Sequence, residues 1–364
     1  MSNTPTCLCI FNLAMDSDDP ILSHSVDWVA EFAKEFELVF VYTTHRGRFE
    51  VPKNVIVIEI GGGDFGARLL GLVRLIRSLS TISKYRDKIA VFHHMTTKPL
   101  AIIGMAIKLM KIKQYLWFSH SYSDIYLKVG AKYSDLIFTP TSNTFPLDIP
   151  GKKLVPIGHG VNLQNREITK LEDSLFPTLL SGNRRKFKIV VLGRISPIKN
   201  IEVLIEFLTS RTHELKSFEV SLIGPIFDYN YWRKINVKAY TGSLQLTYAG
   251  TLKGAELGAE LSSANFIFNG MLKSIDKSAI IAGINGCFLI SQNSELMETF
   301  YGEILSDPFQ ILHQKDLNEQ LEVLLNLPDY EAERVRRVYI ENLRKRFDLR
   351  KLIDVITGDM KRSK

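Results

Sequence analysis

Short apolar runs alternate with segments of helical periodicity along most of this chain, and this alternation restricts its fold more than any other feature. One series extends from Cys7 to Ile157, and a second extends from Phe187 to Ser291. Strands that alternate with helices predict βαβ units, parallel sheets and right-handed crossovers. The polar stretch Asn162–Arg185 interrupts the rhythm. The sequence therefore predicts an α/β protein made of two Rossmann-like domains.

The domain boundaries follow from where this pattern stops and restarts. With 364 residues, the chain is long enough for two domains that each have a core. We predict an N-terminal domain over residues 1–165, a linker over 166–185 and a C-terminal domain over 186–340. We predict that residues 341–364 form a helix that packs back on the N-terminal domain.

The composition is ordinary for a globular protein, with 45% hydrophobic and 23% charged residues. Cys7, Cys9 and Cys287 form neither a disulfide framework nor a zinc-binding spacing, which favours a reducing cytoplasm. No signal-peptide pattern and no bilayer-length apolar run is found, so we expect a cytoplasmic protein. The net charge of +7 suits an anionic ligand or membrane surface. Nucleic acid is not expected, because no recognised motif accompanies the charge.

Part of the positive charge is concentrated between Arg68 and Lys88, in a window that also contains several leucines. This pattern is typical of a basic amphipathic helix on a membrane surface. It is also typical of an ordinary solvated helix whose apolar side lies in the core. The sequence leaves both interpretations open.

The turn Gly193–Asn200 follows an apolar strand and precedes the helix-period segment Ile201–Leu208. This order places Arg194 and Lys199 beside a helix N-terminus, at the carboxyl end of a buried strand. Open α/β sheets bind anions at such ends, and a helix dipole with two cations suits a diphosphate. A surface turn with two solvated cations fits the same residues.

Several stretches occur in an order that is typical of one enzyme family. They are Leu116–Ser121 with Ala131–Thr141, Val155–Asn162, Gly193–Asn200, Tyr248–Gly250 and Asp276–Gly286. This ordered set, within about residues 90–300, resembles the retaining glycosyltransferases of family 4. Those enzymes have the GT-B fold, in which two Rossmann-like domains face a central cleft. The resemblance implies sugar transfer from a nucleotide-sugar of the UDP or GDP type, with retained anomeric configuration and no further cofactor.

The resemblance also assigns roles to individual residues. Arg194 and Lys199 would stabilise the charge on the leaving nucleotide diphosphate, which metal ions do in other transferases. The other predicted donor-binding residues are Gly193, Gly250, Lys277 and Ser278. His120 matches the active-site histidine of the family, and we predict His120 and Asp276 as catalytic residues.

Two further histidines are candidates for the acceptor side of the site. His94 follows an apolar strand, and His24 lies in the loop after the first strand. An exposed loop histidine would fit His94 equally well. The first loop also contains Asp16-Ser-Asp18, a pattern of metal-dependent transferases. In those enzymes the pattern lies well inside the chain, so we predict no metal site here.

The donor-site helix departs from the family pattern. The family has a Glu directly before its Ala-x-x-x-Gly motif and often a second Glu eight positions earlier in the chain. At these two positions this chain has Ile281 and Lys273. Neither side chain can accept a hydrogen bond from a sugar hydroxyl. Another residue could hold the ribose, the donor could be unusual, or catalysis could be lost. Asp276 and Lys277, in the turn Ser274–Lys277, are the nearest polar substitutes.

Together these features predict a glycosyltransferase of bacterial surface polysaccharide synthesis, with a glycan or a lipid-linked saccharide as acceptor. The expected partners are a nucleotide-sugar and this acceptor. We also expect peripheral contact with anionic lipid at the inner membrane face. The alternative is a catalytically degenerate GT-B protein that binds a sugar or a protein. An epimerase or phosphorylase of similar shape fits less well, because we find no convincing acid–base pair of carboxylates.

Overall fold

Two parallel sheets organise the chain, each within its own unit, and the predicted α/β class with two Rossmann-like domains is confirmed. Unit 1 comprises Met1–Asn162 and Leu349–Lys364, and unit 2 comprises Leu163–Asp348. The computed structural model describes residues 5–61, 65–149, 153–165, 168, 186–211, 218–273, 275–304 and 309–362. The predicted linker 166–185 lies outside the described residues apart from Ile168, and so does Ser274.

The first sheet has the strand order β3-β2-β1-β4-β5-β6-β7, with parallel pairing throughout. Its strands are β1 Cys7–Met15, β2 Leu38–Arg46, β3 Val55–Glu59, β4 Ile89–His94, β5 Gln114–Trp117, β6 Leu136–Thr139 and β7 Leu154–Pro156. The helices of unit 1 are α1 His24–Glu35, α2 Phe65–Lys84, α3 Thr97–Leu109, α4 Ile125–Tyr133 and α12 Leu349–Arg362.

The two faces of the first sheet are covered by different helices. Trp28 and Phe32 of α1 and Ile353 of α12 belong to one core cluster, so these two helices cover one face. Helices α2, α3 and α4 contribute to the clusters on the opposite face. Cys7 and Cys9 lie in the cluster under α2 and α3, on the same side of β1, as the alternation of a strand dictates.

The second sheet has the order β10-β9-β8-β11-β12 and is also parallel. Its strands are β8 Phe187–Leu192, β9 Phe218–Ile223, β10 Gln245–Gly250, β11 Phe266–Asn269 and β12 Phe288–Ser291. The helices of unit 2 are α5 Ile201–Ser210, α6 Tyr229–Thr241, α7 Gly254–Ser262, α8 Lys277–Ile284, α9 Ser294–Tyr301, α10 Leu317–Leu325 and α11 Asp329–Phe347. The chain order reverses between β8 and β11, which defines the switch point where such sheets bind ligands.

Helices α4 and α6 do not follow from the apolar pattern of the sequence. Asp124 caps the N-terminus of α4, and its carboxylate accepts a hydrogen bond from the Leu127 amide at 2.7 Å. Asp228 caps α6 in the same way and accepts from Tyr231 N at 2.9 Å. Among the described residues, no helix combines the length and apolar composition that crossing a bilayer requires.

Candidate functional site

Three neighbouring strands of unit 2 end at glycines with positive φ. Gly193 follows β8, Gly224 follows β9 and Gly250 ends β10, with φ of 113°, 136° and 76°. The Gly193 amide donates to Ile223 O and the Gly224 amide donates to Gly250 O, both at 2.8 Å. These bonds bring the three turns together at the carboxyl edge of the sheet. Glycine adopts such φ values easily because it has no Cβ atom, which accounts for the three glycines at this edge.

The predicted residues Gly193, Lys199 and Ser278 meet at this edge. A Cβ on Gly193 would lie 2.9 Å from Lys199 Nζ and 3.2 Å from Ser278 Oγ. Lys199 ends the 3₁₀ turn Pro197–Lys199, and Asn200 with φ of 45° leads into α5. The Asn200 side chain donates to Gly270 O at 2.8 Å, which fixes this turn beside the end of β11.

Asp276 connects the two strands at the switch point. Its Oδ2 lies 2.5 Å from Lys199 Nζ and accepts a hydrogen bond from Asn269 Nδ2 at 2.6 Å. Its Oδ1 accepts from Ser278 N at 3.1 Å and thereby caps α8. The carboxylate, which the sequence nominated as catalytic, therefore also holds Lys199 at the start of α8. Lys277 is the first residue of the same helix.

Arg194 lies at the other side of the Gly193 turn, beside exposed aromatic rings. Its guanidinium carbon is 5.3 Å from the centre of the Phe227 ring, and Phe227 is 55% exposed. The Tyr248 hydroxyl donates to Gly224 O at 3.1 Å, and its ring lies 5.1 Å from the Trp232 ring in a tilted arrangement. In the described part of the chain, Arg194 makes no ion pair with a carboxylate. Phe227 is a residue that the sequence pattern did not single out.

This arrangement can bind a diphosphate. The cations of Arg194, Lys199 and Lys277 and the N-terminus of α8 lie on one edge, with a single carboxylate among them. A helix N-terminus and charge-assisted hydrogen bonds from Arg and Lys are favourable partners for phosphate oxygens. Phe227 and Tyr248 offer exposed rings on which a base can stack.

Acidic side chains are scarce on the donor-site helix. Between Glu260 and Glu295, Asp276 is the only acidic residue of the sequence. Glu260 is engaged elsewhere, since it contacts Lys188 at 2.7 Å and Ser221 Oγ at 2.9 Å. Ile281 lies within α8, and Lys273 precedes it in an exposed bend. A sugar hydroxyl that needs a carboxylate on this segment can find it only at Asp276.

In unit 1 the structure brings His24 and His94 together. Their ring centres are 5.8 Å apart, and His94 stacks on Trp28 at 4.5 Å. His94 is the last residue of β4 and is 4% exposed, so it is not an exposed loop residue. Its neighbours are aromatic because α1 presents Trp28 to the end of the strand.

His120 has a different environment, in the segment after β5. Its ring stacks on Tyr122 at 5.3 Å and meets the edge of Phe118 at 5.8 Å. His159, which the sequence did not nominate, lies edge-on to Trp117 at 6.1 Å. Its position after β7 and within the matched stretch Val155–Asn162 is the signal that could have identified it.

Asn12 is a second residue that sequence reasoning missed. It lies near the carboxyl end of β1, next to Thr43 of β2, and is 1% exposed. Within the described residues neither its side-chain nitrogen nor its oxygen has a hydrogen-bond partner. A buried amide without protein partners is costly, and in proteins such a group is completed by an ordered water or by a ligand. A single polar residue in the apolar strand Cys7–Met15 was the available signal.

The loop after β1 binds its own backbone. Asp16 Oδ1 accepts hydrogen bonds from Asp18 N at 3.0 Å and from Arg48 N at 3.2 Å, and these bonds lower the pKa of the Asp16 carboxyl. Asp18 pairs with the Arg48 guanidinium at 2.7 Å. Over the described ranges, no three His, Cys, Asp or Glu side chains are grouped as metal ligands.

Known proteins are similar to this chain in structure rather than in sequence. No protein-family model matches it, and no curated protein matches it. HepE of Anabaena, in complex with UDP and glucose, has a TM-score of 0.70 at 13% identity, with 98% of this chain and 100% of HepE covered. A glycosyltransferase of Rickettsia africae gives 0.69 at 14% identity, over 99% and 100% of the two chains.

A third similar structure is sucrose-phosphate synthase of Thermosynechococcus elongatus. It has a TM-score of 0.66 at 13% identity, and the match covers 96% of this chain and 97% of the synthase. All three matches extend over both units. The chain therefore has the GT-B fold of two Rossmann-like α/β domains.

Proposed function

We propose that this protein is a glycosyltransferase that uses a nucleotide-sugar donor. The observation that carries the proposal is the carboxyl edge of the second sheet, where Gly193, Lys199, Asp276 and Ser278 meet at the start of α8. The complexes of HepE with UDP and glucose and with UDP-glucose support a donor of the UDP type. A GDP-type donor is the alternative to be tested beside it.

The proposed chemistry breaks the bond between the anomeric carbon and the diphosphate oxygen and forms a bond from that carbon to an acceptor hydroxyl oxygen. The proton of that hydroxyl leaves with the nucleoside diphosphate. Negative charge grows on the leaving nucleotide diphosphate, and Arg194, Lys199 and the α8 N-terminus are placed to stabilise it. We therefore propose transfer without a metal ion. The resemblance to family 4 supports retention of the anomeric configuration, and Asp276 with His120 are the proposed catalytic residues.

The acceptor proposal concerns unit 1. Its buried Asn12 and the pair His24–His94 provide hydrogen-bonding groups at the carboxyl ends of β1 and β4. Such groups suit a hydroxylated acceptor, and we propose a glycan or a lipid-linked saccharide in bacterial surface polysaccharide synthesis. With a lipid-linked acceptor we also propose a peripheral position at the inner membrane face.

A second candidate function rests on the positions of Ile281 and Lys273. Because neither has a carboxylate, and Asp276 is already bound to Lys199, the sugar could lack the partners that catalysis needs. The protein would then bind a sugar or another protein without transferring anything. Binding of a donor without hydrolysis or transfer would favour this candidate.

The experiment is a thermal-shift screen with UDP, GDP, ADP and their glucose conjugates, followed by calorimetric titration. A ligand of the folded state raises the melting temperature by mass action. Arg194→Ala should weaken binding of the best nucleotide about tenfold or more, as loss of a charge-assisted bond predicts. Lys345→Ala, on the exposed side of α11, is the matched control and should change nothing. Equal affinity of the two variants would contradict the phosphate site.

Catalysis is then tested with the best donor, in the presence and absence of EDTA. Release of the nucleoside diphosphate at an unchanged rate in EDTA is expected. A rate that falls in EDTA and recovers with Mg²⁺ would refute metal independence, while leaving the donor site in place.

A further inference from the structure

The positive charge of the chain is concentrated on one layer of unit 1. Helices α2, α3 and α4 contain eight Lys and Arg residues and no Asp or Glu. The formal net charge of the whole chain is +7, so the remainder of the chain is close to neutral. These helices cover the same face of the first sheet and contact one another in the order α2, α3, α4.

Helix α2 is apolar on its outer side as well as on its inner side. Leu75 and Ile82 face the core, whereas Leu69, Val73 and Ile76 form an outward stripe and are 57%, 38% and 52% exposed. A surface helix of a globular protein usually has a polar outer face. An apolar outer face is typical of a helix that is covered by something else.

The apolar surface continues across the neighbouring helices. On α3, Ile102, Met105 and Leu109 share one outward stripe and are 50%, 56% and 76% exposed. On α4, Ile125 is 64% exposed, and Lys98 of α3 lies 5.4 Å from the centre of the Tyr126 ring. Ten of the 24 exposed large apolar side chains in the described residues belong to these three helices. The concentration forms one surface rather than scattered single residues.

Basic side chains surround this surface. Exposed cations lie on all three helices: Arg68, Arg77, Lys84, Lys98, Lys108, Lys128 and Lys132. Arg74 is the exception, because its guanidinium donates to Glu59 O at 3.0 Å and is half-buried. Exposed apolar side chains that share these helices with Lys and Arg, with no acidic residue inside the three helices, are complementary to an anionic bilayer with its acyl chains beneath the headgroups.

The opposite face of the same sheet provides an internal comparison. Helices α1 and α12 contain five acidic residues beside their basic ones: Asp27, Glu31, Glu35, Asp354 and Asp359. Of the large apolar residues on these two fully described helices, only Val355 is exposed, at 44%. The two faces therefore differ in both charge and exposed apolar side chains, although they belong to one unit.

We propose that the outer surface of α2, α3 and α4, which we call the α2–α4 face, docks on an anionic lipid bilayer. Basic residues such as Arg68 and Arg77 bind the headgroups, and Leu69, Val73 and Ile76 enter the boundary with the acyl chains. Because no step of sugar transfer is involved, the inference stands or fails separately from the donor site. Docking would bring the protein to the bilayer in which the proposed lipid-linked acceptor lies. The inference rests on the proposed function only for this connection.

The first test is co-sedimentation of the full chain with vesicles of phosphatidylcholine, alone or mixed with phosphatidylglycerol. Binding is expected only to the anionic vesicles, and it should decrease with salt. The triple variant Arg68→Gln, Arg77→Gln, Lys84→Gln should bind about tenfold or more weakly, given the contribution of each cation near such a surface. The control Arg350→Gln, Lys351→Gln, Arg362→Gln removes the same charge from α12 and should bind like the wild type.

The second test separates insertion from simple attraction. Ile76→Trp on α2 should be quenched by brominated acyl chains in anionic vesicles, and Val237→Trp on α6 should not. The variant Leu69→Gln, Val73→Gln, Ile76→Gln should lose binding at every salt concentration while keeping its nucleotide-induced thermal shift. All these side chains are exposed, so the fold should tolerate them.

Three results would overturn the proposal. They are absence of binding to anionic vesicles at low salt, equal loss of binding in the α2 and α12 charge variants, and equal quenching of the two tryptophans. A dimer that the Leu69, Val73 and Ile76 changes dissociate, without vesicle binding, would show that a second copy covers the α2–α4 face.

Discussion

The ammonium of Lys199 lies 2.5 Å from the carboxylate of Asp276, and the side chains of both residues are almost completely buried, at 7% and 11% exposure. The pair joins the turn after β8 to the start of α8, across the point where the strand order reverses. Asn269 and the Ser278 amide complete the bonding of the carboxylate. The pair thus fixes the position of a cation that we propose for the donor diphosphate.

We expect a large loss of stability when one charge of this pair is removed. Asp276→Asn leaves the buried Lys199 without its counter-charge, and breaking such a pair costs about 3 kcal/mol or more. Lys199→Met should cost less, because Asp276 keeps the hydrogen bonds from Asn269 and Ser278. Urea unfolding of both variants and of the double variant measures the coupling, and the double loss should be smaller than the sum.

An exposed pair in the same unit is the control for this cycle. Lys238 of α6 contacts Glu206 of α5, with side-chain exposures of 35% and 58%. The changes Lys238→Met and Glu206→Gln should alter the unfolding free energy by about 0.5 kcal/mol or less. Additive losses at Lys199 and Asp276, like those of the exposed pair, would show that the buried contact does not stabilise the site.

Two of the site glycines differ in what an added methyl group would meet. A Cβ on Gly224 would lie 2.2 Å from Gly193 O, whereas at Gly250 nothing lies within 4 Å. Both have positive φ, so an alanine at either position is strained by about 1–3 kcal/mol. Gly224→Ala adds a backbone clash and should displace the Gly193 turn.

The expected result is a greater loss of stability and of nucleotide binding for Gly224→Ala than for Gly250→Ala. Thermal unfolding and calorimetric titration with UDP measure the two effects. If the two variants lose the same stability and bind UDP equally, the close approach of the two turns does not control the site.

His93, the penultimate residue of β4, makes the stability of unit 1 dependent on pH. Burial of His93 lowers its pKa from the usual 6.5 to about 3, so the folded protein holds the ring neutral while the unfolded chain takes up a proton. Stability that depends on His93 is therefore present above about pH 6.5 and is lost as the pH falls towards 3. The slope is about 1.4 kcal/mol per pH unit.

His93→Phe tests this dependence, because the ring stacks on Phe11 at 5.0 Å and a phenyl group fits the same contact. Between about pH 7.5 and 5.5 the wild type should lose about 1.4 kcal/mol more than the variant. Denaturant unfolding at the two pH values gives the difference. Carboxylates titrate equally in both proteins and therefore do not contribute to this difference. If the wild type and the variant lost the same unfolding free energy between the two pH values, His93 would be protonated in the folded state.

The sequence predicted the parts of the fold whose apolar residues form long or continuous patterns. Helix α6 escaped prediction because its inner side is reduced to Tyr231, Ile235 and Ala239 among polar residues. The sequence predicted the donor-site residues individually. It could not predict the contact between Lys199 and Asp276, because 77 residues separate them along the chain. Only the order of the strands places them together.

The surface of α2 shows the same limit in another form. Its sequence fits both a solvated helix and a membrane-facing helix. Periodicity shows which residues share a face of the helix, but it does not show what covers that face. The exposure of Leu69, Val73 and Ile76 decides that their side of the helix is unburied within unit 1. His94 was equally ambiguous in sequence, and Trp28 resolves it by stacking on the ring.

Asn12 offers a test of whether unit 1 contains a binding site or a defect of packing. Its amide is buried without a hydrogen-bond partner among the described residues, so Asn12→Leu should stabilise the free protein by about 1 kcal/mol or more. Asn265 is the matched control, because it is also buried but accepts a hydrogen bond from Lys188 N at 2.9 Å. Asn265→Leu should therefore destabilise the protein.

The two readouts of Asn12→Leu should move in opposite directions if the amide serves a ligand. The melting temperature of the variant should be higher than that of the wild type, and its rate of transfer to the acceptor should be lower. Its UDP binding in unit 2 should be unchanged. Natural sequences keep a destabilising buried polar group mainly where function needs it. A variant with higher stability and full transfer activity would show that Asn12 has no part in acceptor binding, and His24 and His94 would then be the remaining candidates.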